Sequence, residues 1–226
     1  MRRFTICDAP QRSAEWYQAR LGKLTASRAA DMLATIRSGE AAARRDLRVQ
    51  LVCERLTGRP QEDEYVSAAM QRGIDCEPLA FAAYEAHTGQ VVQRTGFLSL
   101  GGVMAGCSPD GYLGDFEGLI ELKCPKSATH LSYWQAGTVP ATYRPQLLHQ
   151  LWVTGAAYVD FVSFDDRWPD DLQLFVARLE RDDAAIAAYE RQALAFLAEV
   201  DTEVAAWQTR RAVGTVLRAV VGDAAL

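Results

Sequence analysis

Residues 107–125 read CSPDGYLGDFEGLIELKCP. The run LIELKC has the length and apolar character of a buried β-strand, and its side chains alternate across the pleat. Glu121 and Lys123 therefore share one face, while Ile120, Leu122 and Cys124 share the other. Gly111, Gly114 and Gly118 mark a turn that can fold the chain back and bring Asp110 beside Glu121. The polar face reads as one aimed at a cleft, with the apolar face anchoring the hairpin.

Two carboxylates brought together repel, which raises a pKa unless a cation lies between them. A divalent metal with oxygen ligands resolves the repulsion, and hard carboxylates favour Mg2+ or Mn2+. Lys123, on the same face, can hold and polarise an attacking water. A bare ExK triplet also describes a surface hairpin with a Glu–Lys pair. The fuller spacing, Asp110–x(10)–Glu121–x–Lys123 behind SPDG, is more specific. It resembles the core of the PD-(D/E)XK nucleases, which cut phosphodiesters by metal-assisted hydrolysis.

The flanking chain supplies the elements such a hairpin needs. SAEWYQARLG has Ser13 as a helix N-cap and Gly22 as a stop. A second helix is expected over ASRAADMLATI, with Ser27 at its start, and a third over EAAARRDLRVQLVCERLTG, ending at Gly58. A helix over 67–88 follows, then short β-runs near 90–124. Helices at 127–136 and 141–154, strands near 158–164 and 173–179, and a long helix capped by Asp182 complete the pattern. The fold class expected is mixed α/β in one domain, a restriction-endonuclease-like core with a central mixed, mostly antiparallel sheet flanked by helices. Residues 1–90 form its helical part, 91–180 its sheet core and 181–226 its C-terminal helix and tail.

With 226 residues, 49% of them hydrophobic, the chain can bury one sizeable core. No run reaches the length of a membrane span, and MRRFTICDAPQRS lacks the apolar stretch of a secretory signal. Five scattered cysteines without a CxxC suit a reduced cytoplasmic protein and neither a disulfide framework nor a zinc site. The net charge of −5 divides unevenly. Residues 1–60 carry twelve Lys/Arg against six Asp/Glu, and the rest carry twelve against twenty-three. A local basic surface on an acidic body is compatible with a nucleic-acid partner, as it is with a solvated arginine-rich helix. The three histidines, 87, 130 and 149, do not make a metal set.

Four ordered segments extend the likeness: WYQARLGKLTAS (16–27), CSPDG (107–111), ELKCP (121–125) and QLWVTG (150–155). Together, over roughly residues 13–180, they resemble the phage lambda exonuclease family, the YqaJ-type viral recombinases. The resemblance implies a Mg2+-dependent 5′→3′ exonuclease (Mn2+ substituting). It would act on linear double-stranded DNA with 5′-phosphate ends and leave 3′ single strands. It also implies two metal ions per site, a ring-shaped homotrimer, a single-strand annealing protein as partner, and a bacterial cytoplasm of phage or prophage origin.

Carried over by residue, Asp110, Glu121 and the backbone carbonyl of Leu122 are metal ligands, Lys123 orients the water, and Glu77 stands beside a second metal. Arg20, Ser27, Ser108 and Gln146 match the 5′-phosphate pocket. Arginine suits bidentate phosphate contact, and a helix start suits an anion. Tyr143, Gln146 and Gln150 lie on one helix, with Gln146 and Gln150 on one face. Related nucleases carry Gln-x-x-x-Tyr here, so Gln150 departs from the pattern; the resemblance implies DNA contacts for Tyr143 and Gln150. Arg37, in RSG, matches a DNA-contacting loop, and Met70 an apolar wedge at the terminal base pair. Two alternatives remain: a restriction- or CRISPR-associated endonuclease on the same core, and a DNA-end-binding recombination protein with a decayed site. Intact Asp110, Glu121 and Lys123 argue against decay.

Overall fold

The computed structural model describes residues 3–61 and 68–222, with side chains except at 68–70 and 213–222. Its first strand, β1 (Phe4–Cys7), leads into α1 (Ala14–Arg20), where the Ser13 hydroxyl accepts the Trp16 N–H as expected of an N-cap. A two-residue strand β2 (Leu24–Thr25) precedes a 3-10 turn at Ala26–Arg28 and the four-residue α2 (Ala29–Met32). The long second helix expected over ASRAADMLATI is therefore absent. Pairing of β2 with a neighbouring strand keeps Thr25 extended, and helix formation ends before β-branched Thr35 and Ile36 and the Ser38–Gly39 break.

The remaining helices fall close to the spans expected from the sequence, except that the last runs beyond Arg210 to Gly222. They are α3 (Ala42–Thr57), α4 (Ala68–Thr88), α5 (Ser127–Ala136), α6 (Arg144–Thr154) and α7 (Asp183–Gly222). Gly58 ends α3 in a left-handed conformation, and Asp182 caps α7 through the N–H groups of Ala184 and Ala185. The strands are β3 (Phe97–Leu100), β4 (Ala105–Cys107), β5 (Gly111–Leu113), β6 (Gly118–Lys123), β7 (Tyr158–Phe164) and β8 (Leu174–Glu180).

Among the described residues these strands make two four-stranded sheets rather than one central sheet, ordered β1-β3-β4-β2 and β5-β6-β7-β8. Both are mixed: β2/β4 and β6/β7 are parallel, and the other neighbours antiparallel. The division falls at Ser108–Asp110, where the chain leaves β4 of one sheet and enters β5 of the other. The polar residues of CSPDG thus sit at the seam. β1, which the sequence reading passed over, closes the first sheet against β3.

β6 lies between two apolar clusters. Leu119 joins the larger one, with Leu147, Leu151 and Trp152 of α6 and Phe196 of α7. Ile120 and Leu122 join a smaller one with Ala80, Phe81 and Tyr84 of α4. Because the pleat alternates, Glu121 and Lys123 must project to the α6 side. Gly118 starts the strand under the Tyr158 ring, where an added Cβ would come within 2.3 Å of Cζ, so no larger residue fits without displacing the ring. Among the described residues no helix is long and apolar enough to cross a membrane.

Candidate active site

The hairpin closes as its glycines suggest. Gly111 pairs with Ile120 across β5/β6, the Asp110 N–H donates to the Ile120 carbonyl at 3.0 Å, and Asp110 Oδ2 accepts the Leu122 N–H at 2.7 Å. Asp110 is thereby locked to the strand that carries Glu121 and Lys123. Its Oδ1 takes part in no hydrogen bond among the described residues.

Glu121 is 2% exposed, and both of its oxygens are engaged. Oε1 accepts from Lys123 Nζ and from Gln146 Nε2 at 2.6 Å, and Oε2 accepts from Gln150 Nε2 at 2.5 Å. A buried carboxylate needs such donors. The i,i+4 spacing of the two glutamines on α6 delivers one amide to each oxygen. Gln150 is fully buried, so the DNA-contacting role expected of it is corrected: it holds Glu121. Its own Oε1 has no hydrogen-bond partner among the described residues.

The charges at the site are unbalanced. Burial and then the neighbouring Glu121 raise the Asp110 carboxyl from 3.8 to about 7, against the lowering influence of Lys123 and the Leu122 N–H. Burial alone would pull Lys123 down, but Glu121 and Asp110 outweigh it and the ammonium is held well above its ordinary range. Lys123 is therefore a cation at neutral pH, able to donate but not to accept a proton. Its Nζ lies 5.4 Å from the centre of the Tyr143 ring, which itself packs on Tyr133 and Phe161. Tyr143 thus backs the lysine as part of the core edge.

One cavity of about 220 Å³ is lined by Arg20, Ser27, Ser108 and Gln146 together with Asp110, Glu121 and Lys123. The expected phosphate-binding and hydrolytic groups share one space. Trp16, which sequence reading left without a role, organises its rim. Its Nε1 donates to Ser108 Oγ at 2.9 Å, and the Arg20 guanidinium stacks 4.0 Å above its ring. Ser27 sits in the 3-10 turn with its hydroxyl 3.3 Å from that of Thr25, so the helix-start argument for anion binding there does not hold. A serine hydroxyl and an arginine remain.

Glu77 lines a second cavity, of about 280 Å³, with Gly73, Asp110, Leu122 and Lys123. Its carboxylate is ion-paired to Arg94, a partner seventeen residues away with no sequence signal, and Arg94 in turn covers the Phe81 ring. Among the described residues no three His, Cys, Asp or Glu side chains converge as a ready-made metal site. Asp110 and Glu121 supply hard oxygen donors and an excess of negative charge. The unpartnered Oδ1 and the raised carboxyl are what a divalent cation would relieve, so this pair fits such an ion.

Arg37 is exposed in the 33–41 loop and lines none of these cavities. The side chain of Met70 lies outside the described residues. His149 is structural: its Nε2 donates to the Gly106 carbonyl, its Nδ1 accepts from the Tyr189 hydroxyl, and burial lowers it to about 3.

Residues 15–157 match the model of the YqaJ-like viral recombinase domain. Among solved structures, the chain is similar to an alkaline exonuclease from Laribacter hongkongensis. The two share 43% identity, with 90% of this chain and all of that one covered and a TM-score of 0.79. The same enzyme in complex with dAMP matches at 44% identity, equal coverage and a TM-score of 0.80. A phage-related exonuclease from Haemophilus somnus 129PT shares the fold at 14% identity, with a TM-score of 0.61 over 82% of this chain and 96% of that one. A comparison with curated proteins returned no match.

Proposed function

The chain belongs to the YqaJ-like viral recombinase family of DNA exonucleases, and within it we propose a Mg2+-dependent enzyme that removes 5′-mononucleotides from linear duplex DNA. The observation that carries this reading is the shared cavity: Arg20, Ser27, Ser108 and Gln146 line the same space as Asp110, Glu121 and Lys123. A terminal 5′-phosphate held by the first group puts the next phosphodiester within reach of the second. An enzyme that measures from a terminal phosphate acts on ends.

Asp110, Glu121 and the Leu122 carbonyl would hold the ion. When bound, it neutralises the carboxylate pair and acts as a Lewis acid on the scissile phosphate. A second ion would draw on Glu77, released from Arg94. Lys123, protonated, donates to the attacking water and orients it for in-line approach. Gln146 and Gln150 keep Glu121 from rotating out of line. Water oxygen forms the new bond to phosphorus and the bond to the 3′ oxygen of the terminal nucleotide breaks. One water proton is lost to solvent, and the departing 3′ oxygen takes one up. The nucleotide leaves with its own 5′-phosphate, as dAMP is a 5′-mononucleotide. The shortened strand again ends in a 5′-phosphate, the group the Arg20 pocket takes.

A trimeric ring, a single-strand annealing partner for the exposed 3′ strand and a phage or prophage origin complete the proposal, on family grounds alone. The test compares linear duplexes with 5′-phosphate and 5′-hydroxyl ends, using wild type and Arg20→Ala. Faster release from phosphorylated ends by wild type, abolished in the variant, is expected. An unchanged preference in Arg20→Ala removes Arg20 from the pocket.

A further inference from the structure

The segment Pro10–Ser13 makes a tight turn in which the Ser13 N–H donates to the Pro10 carbonyl at 3.0 Å. Its third residue, Arg12, has a φ of +72° while Gln11 does not enter the left-handed region. This is a type II turn, whose third position normally belongs to glycine, because a Cβ there costs about 1 kcal/mol or more. Ser13, the next residue, is committed as the α1 cap, so the turn is held from both sides. Here a long cationic side chain occupies the position.

Arg12 lines both cavities of the site, the one with Arg20 and Lys123 and the one with Glu77 and Leu122. It also lines a third, of about 510 Å³, with Glu77, Arg94 and Asp110. Besides Arg12, Asp110 alone lines all three. Arg12 is exposed, and its guanidinium makes no ion pair among the described residues although Asp110, Glu77 and Glu121 line the same spaces. The neighbouring arginines differ: Arg94 is paired with Glu77, and Arg20 is stacked on Trp16. Strain at one backbone position, borne to hold an unpaired cation over the junction of three cavities, is a mark of function rather than of packing.

We propose that Arg12 is a catalytic residue that contacts the non-bridging oxygens of the scissile phosphodiester, between the terminal-phosphate pocket and the carboxylate pair. It would take up the charge that builds on those oxygens as water attacks. This rests on the exonuclease reading above. A planar guanidinium can hold two phosphate oxygens at once, and it acts without losing a proton.

Arg12→Gly is the sharpest test, since glycine relieves the backbone and should fold at least as stably as wild type, which a melting curve checks. Arg12→Lys serves as the conservative variant. With saturating 5′-phosphorylated linear duplex and Mg2+, Arg12→Gly should lose about 100-fold in kcat, as expected for removal of one preorganised charge-stabilising donor. Arg12→Lys should recover part of the loss. Both should keep the preference for 5′-phosphate over 5′-hydroxyl ends. A kcat for Arg12→Gly within twofold of wild type, a loss confined to KM, or loss of the 5′-phosphate preference would each overturn the assignment. Wild type that fails to cut linear duplex would instead overturn the exonuclease reading on which it rests.

Discussion

Asp110 and Glu121 face the same cleft, yet the walls that carry them are built on opposite terms. Behind Glu121, the α6 wall is buried and hydrogen-bonded: two glutamine amides and Lys123 satisfy both carboxylate oxygens. Around Asp110, the wall made by the β1–α1 turn and α4 is open. The Asp110 carboxylate accepts one hydrogen bond, from the Leu122 N–H of β6, and the wall facing it holds Arg12, without an ion pair among the described residues, and a glutamate tied to Arg94. The closed wall fixes geometry, and the open wall leaves charge that, on the proposed function, substrate and cation would satisfy.

Breaking the comparison at its centre should have the largest effect. Asp110→Asn should abolish cleavage, by about 10³-fold or more, since an amide is a poor ligand for a hard cation. The same variant should raise the stability of the metal-free protein by about 1–2 kcal/mol at pH 8, allowing for solvent screening of a partly exposed group. The sign follows from the folded pKa of about 7, above the ordinary 3.8. The native contribution of Asp110 is fully present below about pH 4 and lost as pH rises through 7. Wild type should therefore lose metal-free stability between pH 5 and 8 relative to Asp110→Asn. Parallel melting curves across that range would show that the carboxyl is not strained.

On the closed wall the coupling runs the other way, because structure and activity should fall together. Gln150→Leu removes a buried donor from Glu121, and a loss of about 10–100-fold in kcat with about 1–3 kcal/mol of stability is expected. Thermal melts and single-turnover cleavage measure the two. Loss of stability with full activity would mean that Glu121 needs no orientation from α6.

The smallest effect is expected at the rim. Arg94→Ala breaks an exposed pair with Glu77, so stability should change by no more than about 0.5 kcal/mol. The freed carboxylate should tighten the apparent Mg2+ requirement by a few-fold, read from cleavage titrated with Mg2+. A weaker requirement would mean that Glu77 takes no part in holding a cation.

What could be read from the sequence follows the range of the interactions. The β6 face was legible because strand alternation is local and because Asp110–x(10)–Glu121–x–Lys123 behind SPDG is a far more specific spacing than Glu–x–Lys alone. The α6 face was legible as far as Gln146 and Gln150 sharing it, but their acceptor lies on a strand 25 and 29 residues away, and Gln150 was read toward DNA instead. The Ser27 helix failed because a two-residue strand pairing, set by distant Ala105 and Gly106, overrode helical propensity. The Arg94–Glu77 pair and the left-handed Arg12 carry no local signal at all, since Pro-Gln-Arg-Ser lacks the glycine that announces such a turn. Two sheets in place of one have the same origin, because strand order is a long-range property.

The central claim is that one cavity couples a terminal 5′-phosphate to the hydrolytic groups. A linear duplex labelled separately at its 5′ and 3′ ends, beside a covalently closed circle of the same sequence, tests it directly in the presence of Mg2+. The 5′ label should leave first as a mononucleotide while the 3′ label stays on a lengthening single strand, and the circle should remain intact. Early release of the 3′ label, or efficient cutting of the circle, would contradict the account.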